Sequence, residues 1–360
     1  MKLLEAVEAL YEARPYPPVG FLSPLQPLRR DDLPLLNYRA AYASSFGSTA
    51  GAAERPRILV VGCGTFEPVA VAAANPGAEI LAVDLSKRSL EKLRWQARWR
   101  GKSGQIRRLQ GDLEGLTRSE GRFDYVIATG VIHHLEDPLR GLKRLLQLAY
   151  PRAVFRCMVY SQWGRDLLYG AKDLALRVGA NTPRKFRRLM ASLPGNHPYR
   201  IYFHLYQDAK TDGGLCDGYL HPCDQPLGAL GWQAMLEKAG LEATRFLQRP
   251  EGQPAAADRL AKFSKAQGPW ERMAFLEALG GLEENFIFFA RRASEAGLAT
   301  EAAAAKSFEW NPALLKKGTL RSRLLGDTVA YDTSRHPSSL DEATRRRFLD
   351  GLLLLPKGGA

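Results

Sequence analysis

The sequence predicts an α/β fold, a doubly wound sheet of mostly parallel strands. Three observations predict it. Apolar, β-rich runs recur from Arg57 onward, and amphipathic helical stretches alternate with them. The first run ends in Gly62-Cys63-Gly64-Thr65 directly before a helix.

Residues 1–50 read as short helices around a rigid turn. Leu3, Leu4, Val7, Leu10 and Tyr11 recur at helical spacing. Arg14-Pro15-Tyr16-Pro17-Pro18 must end that helix, because prolines lack an N–H and bias their neighbours to extended geometry. Thr49–Pro56 is a linker. Arg57–Val61 reads as a strand buried on both faces. A helix over Glu67–Ala74 is closed by Pro76-Gly77, and Glu79–Asp84 is the second strand. Lys87–Arg100 is a helix whose apolar side holds Leu90, Leu93, Trp95 and Ala97. Ile106–Leu109 and Phe123–Thr129 are strands three and four. Pro138–Ala149 is a helix with Leu139, Leu142, Leu145 and Leu146 on one face, and Ala153–Tyr160 is strand five.

Residues 161–225 break the rhythm and read as a helical and loop insertion. The alternation resumes with a helix over Gly231–Gly240, a strand over Ala243–Gln248, a helix over Phe275–Leu282 and a strong strand over Asn285–Arg292. Glu301–Lys306 has high helix propensity and reads as a spacer. The expected organisation is an N-terminal helical lid over 1–50, an α/β domain over 51–293 with its insertion within 161–230, and a basic, mostly helical extension over 294–360.

Composition narrows the function class only modestly. The 360 residues include 51 Lys and Arg against 38 Asp and Glu, a formal charge of +13 that favours anionic partners. A hydrophobic fraction of 45% excludes a mostly disordered chain. Four cysteines are too few for a disulfide scaffold and suggest a reducing compartment. No secretory leader is evident, and no apolar run reaches about 18 residues, so a bacterial-type cytoplasmic protein is expected.

The stretch from Ile58 to Ser86 carries the chemistry. A buried strand enters a glycine turn that lets backbone approach a ligand, and the following helix start offers free N–H groups. Asp84 closes the second strand 20 residues after Gly64, where an acid accepts the ribose hydroxyls of an adenosine. A dinucleotide fingerprint needs a third glycine, and Glu67 stands there instead. An acid at that place repels phosphate but suits a phosphate-free ligand with a cationic end. S-adenosylmethionine is such a ligand. No phosphate-gripping lysine loop is present. Gly111-Asp112-Leu113 after strand three and Thr129-Gly130 after strand four lie at the carboxyl edge, where such sheets bind ligands.

Residues 58–165 resemble the class I S-adenosylmethionine-dependent methyltransferases, in particular type 11/12 methyltransferase domains and those found beside tetratricopeptide repeats in bacteria. The likeness rests on the GCGT turn at Gly62–Thr65, the VDLS strand end at Val83–Ser86 and the GVIHHLEDP segment at Gly130–Pro138. Pro15-Tyr16-Pro17 and Tyr160-Ser161 with Arg165 extend it. The resemblance implies a seven-stranded sheet with Asn285–Arg292 antiparallel. It implies a cofactor site of Gly62, Cys63, Gly64, Thr65, Glu67, Asp84, Leu85, Asp112, Leu113, Thr129 and Gly130. Two departures stand out: Val60 where many members have an acid, and Phe66 where many have a third glycine. Glu67 is expected to pair the cofactor's ammonium in place of the missing acid.

Methyl transfer from a sulfonium needs proximity and orientation, and a base only when the acceptor starts protonated. His133 and His221, with Tyr160 and Tyr16 as walls, are the candidate catalytic residues. Cys216, His221 and Cys223 have a spacing that matches no usual zinc pattern, even with His204 as a fourth ligand, so no metal is expected. The basic runs Arg184–Arg188 and Arg345–Arg347 raise an RNA methyltransferase as the alternative, with Phe186 stacking on a base, or an acidic protein partner. A non-catalytic cofactor-binding interaction module is the third reading. A nicotinamide dehydrogenase is opposed by Glu67. The methyl acceptor, small molecule or protein side chain, is not named by the sequence.

Overall fold

A computed structural model describes residues 2–20, 22–26, 28, 30–247, 268–278, 284–295, 307–322 and 324–357. The strands β1 (Arg57–Val61), β2 (Glu79–Asp84), β3 (Ile106–Gln110), β4 (Phe123–Thr129), β5 (Ala149–Tyr160), β6 (Leu241–Phe246) and β7 (Asn285–Arg292) form one sheet in the order 3-2-1-4-5-7-6. β7 runs antiparallel to both β5 and β6, and every other pairing is parallel. The order reverses between β1 and β4, so loops diverge there and leave a crevice at the carboxyl edge.

Strand side chains alternate between two cores. Ile58, Val60, Ile80, Ala82, Tyr125 and Ile127 pack on one face with helices α2 (Leu33–Leu36), α3 (Tyr38–Phe46), α4 (Glu67–Ala74) and α5 (Lys87–Trp99). Leu59, Val61, Leu81, Val126 and Ala128 pack on the other with α6 (Pro138–Leu148), a helix over Ala229–Ala239 and another over Pro269–Ala278. Side-chain caps set several helix starts. Asn37 accepts from Ala40 N, Ser86 from Ser89 N and Asp137 from Arg140 N.

The predicted strand five begins four residues early, at Ala149, directly where α6 ends at Leu148. The helix expected over Phe275–Leu282 starts six residues earlier, as Pro269–Ala278, with a proline suited to its first turn, and residues 279–282 of that expectation lie outside the described residues. The insertion is helical as expected: Asp166–Arg177, Pro183–Ser192, Pro198–Leu205 and Asp212–Tyr219 enclose a small core of their own around Leu168, Phe186 and Tyr219. Among the described residues no helix is long and apolar enough to cross a membrane.

The C-terminal extension corrects the expectation of a mostly helical appendage. Its described residues pair Lys317–Ser322 with Asp327–Asp332 and Ser307–Trp310 with Leu354–Lys357, with a single α-helix over Glu342–Asp350. Gly326 supplies the positive φ that turns the first hairpin, and Leu320, Val329 and Tyr331 alternate onto its buried face. The Glu301–Lys306 spacer lies outside the described residues. Nor is the extension detached. Leu352 and Leu355 join the core under β1, and Asn311 Nδ2 donates to the Pro34 carbonyl at 3.2 Å.

The N-terminal helix α1 (Lys2–Ala13) and the proline turn after it cross the carboxyl edge. The Tyr16–Pro17 peptide is cis. Thr65 N donates to the Tyr16 carbonyl at 3.3 Å, and Thr65 Oγ1 donates to the Pro17 carbonyl at 2.6 Å. Glu12 accepts from Lys87 N at 2.5 Å, and Arg100 donates to the Ser23 carbonyl at 2.7 Å.

Candidate active site

A cavity of about 1010 Å³ lies at the carboxyl edge beneath α1 and the proline turn. Its floor is the glycine turn. Gly62 and Gly64 both hold positive φ, and the space for a side chain is already taken. A Cβ on Gly62 would sit 2.4 Å from Val131 Cγ2, and one on Gly64 would sit 2.6 Å from the Tyr16 carbonyl oxygen. The glycines therefore serve the turn and the close approach of the proline segment.

Asp84 stands beside this turn. Its Oδ2 accepts from Gly64 N at 2.8 Å and its Oδ1 from Ser86 N at 2.9 Å. Burial raises its pKa, partly countered by these two donors. Each oxygen keeps lone-pair capacity toward the cavity. Leu85, Asp112, Leu113, Thr129, Gly130 and Cys63, all expected at a cofactor site, also line the cavity. Thr65 does not; it is fully buried, and its polar atoms hold the proline segment.

Glu67 lines the cavity but is not free. Its Oε1 accepts from Thr129 Oγ1 at 2.6 Å and lies 3.6 Å from Arg156 Nη1. Arg156 also donates to Thr129 Oγ1 at 2.9 Å, while its buried Nε has no hydrogen-bond partner. Burial raises the Glu67 pKa against the pull of Arg156 and Thr129. The wall thus presents an acid and a base side by side. Arg156 went unnoticed in the sequence because it is a single cation inside an apolar strand run. Periodicity of β5 places it on the Val154 and Met158 side, and that is the only signal for it.

The opposite end of the cavity is built by the insertion, β5 and α1. Asp217, 8% exposed, accepts from the Tyr11 hydroxyl at 2.6 Å and from the Tyr160 hydroxyl at 3.3 Å. Its pKa is raised by burial, against the opposing pull of His134, Tyr11 and Arg165. Tyr16 and Asp208 complete that end. Arg165 lies 3.4 Å from the Tyr160 ring centroid and donates to Asn285 Oδ1 at 2.9 Å. Neither Asp217 nor Tyr11 was singled out for chemistry in the sequence. They lie 206 residues apart, and nothing local announces their meeting.

The histidines divide. His133 is fully buried and off the cavity wall; its Nδ1 accepts from Tyr160 N at 3.3 Å and its Nε2 lies 3.1 Å from His134 Nε2. Burial and the neighbouring His134 hold its pKa well below the usual imidazole range. The structure therefore does not place this predicted catalytic residue at the cavity. His134 is there instead, its Nδ1 2.8 Å from Asp224 Oδ1. His221 also lines the cavity. Its Nδ1 lies 2.6 Å from the Cys223 carbonyl oxygen, and its buried Nε2 has no partner. Burial and His134 push its pKa down to about 3, so the ring is neutral across the physiological range.

Among the described residues, the only side chains gathered as a metal would need are His134, His221 and Asp224, not Cys216, His221 and Cys223. Both imidazole Nδ1 atoms of that set already face the Cys223 carbonyl, at 2.8 and 2.6 Å, and Lys172 holds Asp224. The basic runs are also partly committed. Phe186 is fully buried and presents no face to a base, and Arg187 pairs with Asp212 at 2.5 Å. Arg347 pairs with Asp327, and Arg345 lies over the Phe308 ring.

Comparison with known proteins agrees with the geometry. Residues 59–155 match the family model of a methyltransferase domain. Over 364 aligned residues the chain is 28% identical to an uncharacterized protein of Synechococcus sp., covering 94% of this chain and 82% of that one. The structure of PKMT2 from Rickettsia typhi superposes with a TM-score of 0.58 at 18% identity, over 78% of this chain and 55% of that one. The same protein in complex with AdoHcy gives 0.56 at 18% identity, with the same coverage. The chain spans about half the length of the Rickettsia protein, and that likeness is one of fold.

Proposed function

We propose that this chain, which carries an S-adenosylmethionine-dependent methyltransferase domain, binds that cofactor along the glycine turn and transfers its methyl group to an acceptor held between α1 and the insertion. The observation that carries this reading is the continuous cavity joining Asp84, the glycine turn and the Tyr160–Asp217 end. The cofactor supplies an electrophilic methyl group on a sulfonium. Asp84 accepts the ribose hydroxyls, and Asp112, Leu85 and Leu113 flank the adenine. Glu67 and Arg156 meet the ammonium and carboxylate of the methionine end, a pair of opposite charges for a zwitterion.

The residues around the acceptor chiefly position it and exclude water. Tyr160 and Tyr16 wall the transfer site. His221, the other candidate, lines this end as a buried neutral imidazole and shapes the wall around the acceptor. His133 orients the Tyr160 backbone and His134, a positioning role. Of the segment over 1–50, α1 and the proline turn act as a lid, since they bond directly to the glycine turn and to α5, while α2 and α3 belong to the core under the sheet. A cytoplasmic location and a bacterial source fit this reading.

Calorimetric titration with S-adenosylhomocysteine tests the proposal. Wild type binds, and Asp84→Ala weakens binding at least tenfold, through loss of charge-assisted bonds of about 1.5–3 kcal/mol each. A wild-type protein that shows neither binding heat nor a melting shift defeats it.

A further inference from the structure

We infer that the acceptor is a protonated alkylamine, held by the buried Asp217 carboxylate inside a wall of tyrosine rings. The inference rests on the methyltransferase reading and adds the acceptor's chemistry to it.

Three observations carry it. First, Asp217 is an uncommon group to bury at a cavity wall. Its two hydroxyl donors, Tyr11 and Tyr160, occupy two of roughly four lone-pair sites, leaving acceptor capacity for a ligand that donates. Second, acids face the cavity at that end while the cations there are engaged with other partners. Asp208 also faces the cavity. The nearby cation, Arg165, is directed at Asn285, the Tyr206 hydroxyl and Glu284. Lys172 is held by Asp224 and the His221 carbonyl. A carboxylate acceptor would add a third acid beside Asp217 and Asp208, and a neutral hydroxyl would leave Asp217 with its two tyrosine donors alone. Third, Tyr11, Tyr16 and Tyr160 all line the cavity, and tyrosine faces attract alkylammonium groups.

The chemistry balances with these residues. The ammonium gives one proton to Asp217, which becomes a neutral carboxylic acid. The freed nitrogen lone pair forms the new N–C bond while the C–S bond breaks, its electron pair remaining on sulfur. Products are a protonated methylamine and S-adenosylhomocysteine. Burial favours protonation of Asp217 and outweighs the opposing pull of His134, Tyr11 and Arg165.

Two sources of amine exist, free metabolites and protein side chains, and the arms of the test separate them. Labelled S-adenosylmethionine is supplied with a cell protein extract, with the same extract acetylated beforehand, and with the small-molecule fraction. Labelling is expected to fall about tenfold or more on acetylation, or to appear in basic small molecules, and to resist alkali. Independently, butylammonium chloride is expected to raise the melting temperature of the wild-type protein where butanol does not. Asp217→Asn should abolish that shift and raise the amine KM about tenfold, while the shift caused by S-adenosylhomocysteine persists. Asp217→Glu should recover part of both, which a merely structural role would not predict. If S-adenosylhomocysteine gives no shift, the methyltransferase reading itself fails. If it binds but label enters the acetylated extract equally, is released by alkali, or enters no arm, the amine inference alone is overturned.

Discussion

The Tyr11 hydroxyl donates to Asp217 Oδ1 at 2.6 Å, joining the N-terminal helix to the insertion directly over the cavity. This bond closes the roof of the site, and burial of Asp217 makes it costly to leave half-made. Tyr11→Phe removes the donor and leaves a buried carboxylate short of a partner, at about 1–3 kcal/mol. Faster release of S-adenosylhomocysteine is expected, several-fold in stopped flow, together with a lower melting temperature.

The Glu67–Arg156 pair gives a second prediction. Removing one member of a buried pair strands the other, at about 3–5 kcal/mol. Glu67→Gln is therefore expected to destabilise more than Arg156→Met, because the stranded guanidinium keeps its charge while a stranded Glu67, already raised by burial, can take up a proton. Both should weaken S-adenosylhomocysteine binding in calorimetry. Unchanged affinity in both variants would reject their role at the methionine end.

Acid stability follows from the buried imidazoles. His133 and His221 have folded pKa values below the ordinary 6.5, and His221 sits at about 3. A depressed folded value means that the unfolded chain binds the proton first. The stabilisation is present above pH 6.5 and is lost as pH falls toward 3, by up to about 1.4 kcal/mol per pH unit for His221. Buried acids act in the opposite sense. Asp84, Asp217 and Glu67 are raised, so they favour the fold below their unfolded values and lose that contribution as pH rises through the folded ones. Melting curves of wild type and His221→Gln between pH 7 and pH 4 are expected to converge toward the acid end.

The extension yields a stability prediction. Leu355 is fully buried in the core shared with Ile58 and Ala41. Leu355→Ala should cost about 2–5 kcal/mol of unfolding free energy, measured by denaturant titration, although the residue lies outside the sheet.

The sheet was legible because its strands are buried on both faces and read as unbroken apolar runs, RILVV and FDYVIAT among them. The floor of the site was legible for a local reason. Glycine turn, helix start and Asp84 fall within one βαβ unit, and their spacing carries the meaning. The roof was not. Tyr11, Arg156, Asp217 and Asp208 come from four separate segments, and only tertiary structure brings them to one cavity. The extension misled because helix propensity in Glu301–Lys306 and a run of arginines outweighed the alternation in Lys317–Ser322 and Asp327–Asp332, whose polar faces are solvated.

Thr49 N donates to the Pro356 carbonyl at 2.8 Å, beside the linker that leads into β1. During synthesis the first residue of that pair is made some three hundred residues before the second. The face of the sheet later covered by Leu352 and Leu355 must therefore wait, apolar and open, through most of translation. Such a chain has reason to depend on a chaperone until its last strand arrives, and ribosome-bound chains stalled near residue 300 should bind one more strongly than released ones.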